Sequence, residues 1–94
     1  MKQNFEIAVF EGDGIGPKII APTVDILTKL AALDGAYSLN FTDAPAGAAH
    51  YARTGESLPE SSMDIARAAD AILLSAMGLP DVRYADGTEI SPQI

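Results

Sequence analysis

Ile7-Ala8-Val9-Phe10-Glu11-Gly12-Asp13-Gly14-Ile15-Gly16-Pro17 decides how the chain is read. Four apolar residues in succession suit a strand buried on both faces, as in a parallel sheet. Three glycines in five residues then break the strand, and Pro17 sits where a helix favours proline in its first turn. The helix that follows spans Pro17 to Leu33. Ile20, Val24, Leu27 and Ala31 recur at helical spacing, and Ile19, Ile26, Leu30 and Leu33 widen the apolar stripe. Pro22 falls inside it, so the regular helix either begins near residue 19 or kinks there. Asp34-Gly35 supplies the stop.

Working outward, Tyr37 to Thr42 alternates in period two, the pattern of a strand with one wetter face. Ala44 to Arg53 reads as a short helix ending near Thr54-Gly55. Leu58-Pro59 leads to another helix, with Ser61 or Ser62 as its cap and Met63, Ala66 and either Ala69 or Ala68 on its inner side. Ala71-Ile72-Leu73-Leu74-Ser75 is a second strongly buried strand, and residues from Met77 onward form an irregular tail. Strands alternating with helices give an α/β fold: a partial, mostly parallel sheet with flanking helices. Ligands of open α/β sheets gather at the carboxyl ends of the strands, which here means residues 11–16 and 75–80.

Composition narrows the function. The 94 residues are 48% hydrophobic, carry a formal charge of −7 and contain no cysteine. That length allows one domain, and a compact monomer of this mass exposes roughly 5,200 Å², burying about 64% of its unfolded surface. A disulfide framework, a thiolate metal site and a cysteine nucleophile are excluded. The acidic balance argues against a nucleic-acid partner or an anionic membrane surface. No run reaches the roughly 20 apolar residues of a membrane span, and the N-terminus lacks a signal-peptide core, so a cytoplasmic protein is expected.

The glycine loop matches neither standard phosphate-binding spacing. The dinucleotide fingerprint requires a glycine at position 17, and the phosphate loop requires one directly before Lys18; both fall on Pro17. On these residues alone a tight strand-to-helix turn stands beside a ligand-binding loop. Asp13 reads as a turn residue bonding nearby backbone amides rather than as a metal ligand. His50, the single imidazole, reads as a surface or packing residue.

The string Phe10-Glu11-Gly12-Asp13-Gly14-Ile15-Gly16-Pro17 closely resembles the opening of the β-decarboxylating dehydrogenases, the isocitrate/isopropylmalate dehydrogenase family. Two further motifs follow in order. Thr54-Gly55-Glu56-Ser57-Leu58-Pro59, preceded by Ala46-Gly47-Ala48-Ala49, is similar to the family's A/T-G-x-x-L-P stretch. Ala69-Asp70-Ala71-Ile72-Leu73-Leu74-Ser75-Ala76-Met77-Gly78-Leu79-Pro80 is similar to its A-D-A-x-L-x-G-A-x-G-x-P segment. Residues 5–80 carry the resemblance, and 81–94 follow it loosely. Lys18, Ser75 and Leu79 depart from the usual pattern, Leu79 standing where isopropylmalate enzymes have a second glycine.

The resemblance implies an enzyme that oxidises a malate-like 2-hydroxy acid (isopropylmalate, tartrate or isocitrate type) with NAD or NADP and then releases CO₂. Mg²⁺ or Mn²⁺ acts as Lewis acid. It also implies a homo-oligomer, usually a dimer. The family's arginine cluster, proton-handling tyrosine and lysine, and metal aspartates lie beyond the matched region, so no catalytic or metal residue carries over. Residues 1–94 then form an incomplete N-terminal part of the dehydrogenase large domain, inactive by itself. By position, Ile15 falls against the cofactor's adenosine part, Gly78 near the nicotinamide end, Thr88 in the cofactor-recognition segment and Ser91 in the substrate-recognition segment. Outside the resemblance, a self-contained small nucleotide-binding or self-associating α/β module is the alternative.

Overall fold

A computed structural model describes residues 3–93. It contains β1 (Gln3–Phe10), α1 (Gly16–Asp34), β2 (Tyr37–Asp43), α2 (Ala48–Thr54), α3 (Glu60–Ala68) and β3 (Ala71–Leu74). The strands form an open, all-parallel sheet in the order β2-β1-β3. This is a small, partial α/β fold of three strands and three helices, as the sequence predicts.

β1 is central, and its alternate residues serve opposite faces. Ala8 and Phe10 join Ala44 and Ala46 in the buried core, against Leu58, Ile65, Ala66, Ala69 and Met77. Val9 shares a cleft with Ile20 and Val24 of α1 and Phe41 of β2. With both faces of β1 covered, the apolar run Ile7–Phe10 has somewhere to go. The strand begins earlier than that run, at Gln3, because β2 pairs with it from Gln3↔Tyr37 onward.

α1 runs unbroken through Pro22. The Thr23 hydroxyl, next to the proline, donates back one turn to the carbonyl of Ile19 at 2.7 Å. The helix ends at Gly35, whose N–H donates to Ala31 from a left-handed conformation. α3 departs from expectation at its start. Neither Ser61 nor Ser62 caps it; the N-cap position is Pro59, with no side-chain cap bond. Ser62 is fully buried, and its hydroxyl instead donates to the Pro45 carbonyl at 2.5 Å. That bond ties α3 to the segment before α2.

Two apolar surfaces expected to be buried are open. On α1, Ile20 and Ala31 are buried, whereas Ile19, Ile26, Leu30 and Leu33 are exposed, Leu33 at 85%. At the helical repeat the exposed residues fall within roughly 80° of arc, with Pro22 among them, facing away from the sheet-side stripe. β3, read as strongly buried, is an edge strand, and Ile72 and Leu74 remain about half exposed. An apolar run records what a segment can bury, and here nothing packs on its outer side. The accessible surface, 5940 Å², accordingly exceeds that of a compact monomer of this mass. The tail beyond Gly78 is irregular but anchored: Arg83 and Glu89 form an isolated antiparallel bridge, and Ile90 is buried.

Candidate functional site

The carboxyl ends of β1 and β3 lie side by side, so the loops leaving them meet. β3 pairs with β1 up to Phe10↔Leu74, and the Ser75 N–H continues the ladder onto the Phe10 carbonyl at 3.0 Å. Beyond this the Asp13 N–H donates to the Ala76 carbonyl at 2.8 Å, and the Ser75 hydroxyl donates to the Gly16 carbonyl at 3.3 Å. The approach is close enough to require glycine. A Cβ on Gly12 would stand 1.9 Å from the Ala76 oxygen, and one on Gly16 would stand 2.1 Å from the Glu11 oxygen. The space the glycines free is therefore occupied by the chain's own carbonyls.

Asp13 is at the centre of this contact. Its side chain is buried, yet its carboxylate accepts three backbone hydrogen bonds. Oδ2 accepts from Ala48 and from Gly78, each at 2.7 Å, and Oδ1 accepts from Ala49 at 2.9 Å. Burial alone would push this carboxyl up. The amides of Gly78, Ala49 and Ala48 outweigh it and hold the group below the ordinary carboxylate range. The expectation of a local turn bond is corrected here: the partners lie 35, 36 and 65 residues away. Sequence reasoning missed this role because the signal is long-range. A carboxylate between glycines looks the same whether its amides are two residues away or sixty.

Ile15 occupies the N-cap position of α1 with its side chain 62% exposed at the rim of the loop. Gly78 donates its N–H to Asp13, and a Cβ there would meet the Ile90 carbonyl at 3.4 Å. Ser91, half-buried, directly follows Ile90. Thus the loops bearing Ile15 and Gly78 are joined through Asp13, and the backbone just before Ser91 lies against Gly78. Thr88 is engaged in a turn of its own, its N–H donating to Asp86 Oδ1 at 2.9 Å and its carbonyl accepting from Tyr84.

A second feature lies at the ends of β1 and β2: a cavity of about 110 Å³ lined by Glu11, Asp43, His50 and Arg53 among others. His50 packs beside it with Nδ1 buried and unpartnered among the described residues. The short helix expected from Ala44 begins only at Ala48, because the Ala44 N–H still bonds the Val9 carbonyl and Gly47 takes φ +109°, and His50 is therefore the third residue of α2, half-buried.

Fit to the cofactor and metal implied by the resemblance can be tested on these residues. The gap at Gly12 is filled by the Ala76 carbonyl, so the loop is no pyrophosphate cradle. No group of three or more His, Asp or Glu among the described residues could hold a metal ion. What these loops present is the exposed apolar side chain of Ile15 and the backbone around Gly78, whose N–H is already taken by Asp13.

Comparison with known proteins agrees with the three motifs. The family described as isocitrate/isopropylmalate dehydrogenase matches residues 6–93. The 3-isopropylmalate dehydrogenase of Trichormus variabilis is 42% identical over 78 residues, 83% of this chain and 21% of that protein. The enzyme of the same name from Thiobacillus denitrificans is 47% identical over 75 residues, 80% of this chain and 21% of its own. That of Neisseria meningitidis serogroup B is 46% identical over 76 residues, 79% and 20% respectively. The chain therefore spans about a fifth of the length of the curated relatives it matches. On the family match over residues 6–93, the chain belongs to the isocitrate/isopropylmalate dehydrogenase family, of which it represents an N-terminal portion.

Proposed function

We propose that these residues are the N-terminal part of a metal- and NAD(P)-dependent decarboxylating dehydrogenase acting on a malate-like 2-hydroxy acid of the isopropylmalate, tartrate or isocitrate type. The observation that carries the reading is the family match over residues 6–93 by a chain about a fifth as long as its relatives. In the whole enzyme a bound nicotinamide cofactor would accept the hydride from C2 of the hydroxy acid while the hydroxyl gives up its proton, and the resulting β-keto acid would lose CO₂. This part supplies binding surface: Ile15 for the adenosine part, the Gly78 loop for the nicotinamide end, and the hydroxyls of Thr88 and Ser91 for cofactor and substrate. The proton-handling groups, the substrate-gripping arginines and the Mg²⁺ or Mn²⁺ ligands come from elsewhere in the protein, which works as a cytoplasmic homo-oligomer. No helix among the described residues is long and apolar enough to cross a membrane.

Isolated, the 94-residue chain then has no turnover. Mixed with Mg²⁺ or Mn²⁺, NAD or NADP, and isopropylmalate, tartrate or isocitrate, it gives no absorbance change at the reduced-nicotinamide band. Sustained reduction would overturn the assignment of the chemistry to other residues. The intact mass of the protein as expressed, several times 9.8 kDa on this reading, checks it independently. A second reading, a self-associating module, is favoured by one observation, the exposed apolar face of α1. Light scattering can remove it, since a monomer at every concentration excludes self-association.

A further inference from the structure

The Asp13 carboxylate joins three pieces of chain that have no covalent reason to be near one another. They are the loop 11–16 after β1, the first turn of α2, and the loop 75–80 after β3. Its own N–H donates to Ala76 while its Oδ2 accepts from Gly78, so one residue grips the second loop at two points two residues apart. The grip leaves no slack on the other side, because a Cβ on Gly47 would stand 2.6 Å from Asp13 Oδ2. Charge-assisted bonds to a buried carboxylate are among the stronger ones a loop can have.

We propose that Asp13 is a positioning residue whose buried carboxylate sets the separation of loops 11–16 and 75–80, the two surfaces that carry Ile15 and Gly78. The proposal rests on the dehydrogenase reading only for what the loops hold. The latch itself is a property of this chain. It gives the glycine loop a purpose that neither phosphate-binding spacing supplies: the glycines let the backbone come close enough for the carboxylate to reach across.

The test is amide hydrogen exchange, residue by residue, on the 94-residue chain and three variants. In Asp13→Ala the Gly78 amide exchanges about tenfold faster or more, measured against Ala8 and Val9 of β1 in the same sample. Asp13→Asn keeps one acceptor oxygen, which can still serve Ala48 and Gly78, and turns an NH₂ toward the Ala49 N–H. It restores Gly78 partly and leaves Ala49 as fast as in Asp13→Ala. Gly47→Ala keeps the carboxylate but crowds it at a left-handed backbone position (φ +109°), so it too speeds Gly78, which shares that carboxylate. This variant and Asp13→Asn decide the question if Asp13→Ala unfolds. Unchanged Gly78 exchange in the variants that fold, or an equal rise at every amide including β1, overturns the proposal. Failure of the reading as an N-terminal part, seen as turnover by the isolated chain or as an intact mass near 9.8 kDa, leaves this exchange pattern as it is, so the two failures are distinguishable.

Discussion

A methyl group on Gly12 would stand 1.9 Å from the carbonyl oxygen of Ala76, 64 positions further along the chain. The obstacle is backbone on both sides, so no rotamer change relieves it. The glycine-rich loop after β1 is thereby explained by the strand two places later in the sequence. β3 pairs beside β1, its outgoing loop crosses the glycines, and the Asp13 N–H closes the contact on Ala76.

Gly12→Ala therefore disrupts the junction. It combines a left-handed backbone position (φ +77°) with a clash that only backbone movement removes. The expected cost is about 2–5 kcal/mol, from the left-handed penalty plus overpacking. Gly35→Ala is the control: its φ is +76°, but nothing lies within 4 Å of the added carbon, so about 1–2 kcal/mol is expected. Urea unfolding of both variants separates the backbone effect from the clash. Equal losses would show that the Ala76 contact contributes nothing.

Asp13 gives stability a dependence on acid. Its carboxyl lies below the ordinary aspartate value in the folded state, the three amides outweighing burial. A depressed folded value means the unfolded chain takes up the proton first. The contribution is complete above the unfolded value near 3.8 and is lost as pH falls through the folded one. Urea midpoints measured from pH 7 down to 2 should fall in the acid range. Asp13→Asn should be less stable at pH 7 and flatter below pH 4. A wild-type slope retained in Asp13→Asn would assign the dependence to other carboxyls.

Much of this architecture was legible because it is local. The run Ile7–Phe10, the helical spacing of Ile20, Val24, Leu27 and Ala31, and Gly35 as the stop each depend on neighbours a few residues away. Three ordered motifs carried the family. What was not legible depends on who meets whom. Asp13 binds amides on two distant loops, Ser62 points to Pro45, and β3 is an edge. Ile72 and Leu74 read as core because their chemistry is core chemistry; their exposure is a fact about missing neighbours.

The two serines at the start of α3 test that distinction. Ser61 is exposed and caps nothing, so Ser61→Ala should leave stability within about 0.5 kcal/mol. Ser62→Ala removes the buried hydroxyl that ties α3 to the Pro45 carbonyl and should cost about 1 kcal/mol. Thermal or urea unfolding checks both, and the opposite ranking would restore Ser61 as the cap.

The outer stripe of α1 makes the last prediction, and its sign can be separated from that of charge. Ile26 is 58% and Leu33 85% exposed, on the same side of the helix as Ile19 and Leu30. A helix apolar on two sides is built to be covered on both. Isolated, the chain should show a scattering mass that rises with concentration, because an exposed apolar stripe associates. Ile26→Lys with Leu33→Lys should lower that mass while changing stability little, since neither side chain contributes to the core. Each added lysine also cancels one unit of the formal charge of −7, which weakens repulsion between copies and by itself would favour association. A fall in mass despite weaker repulsion assigns the association to apolar contact on this stripe. A rise would mean that charge, and not the stripe, governs how the chains meet.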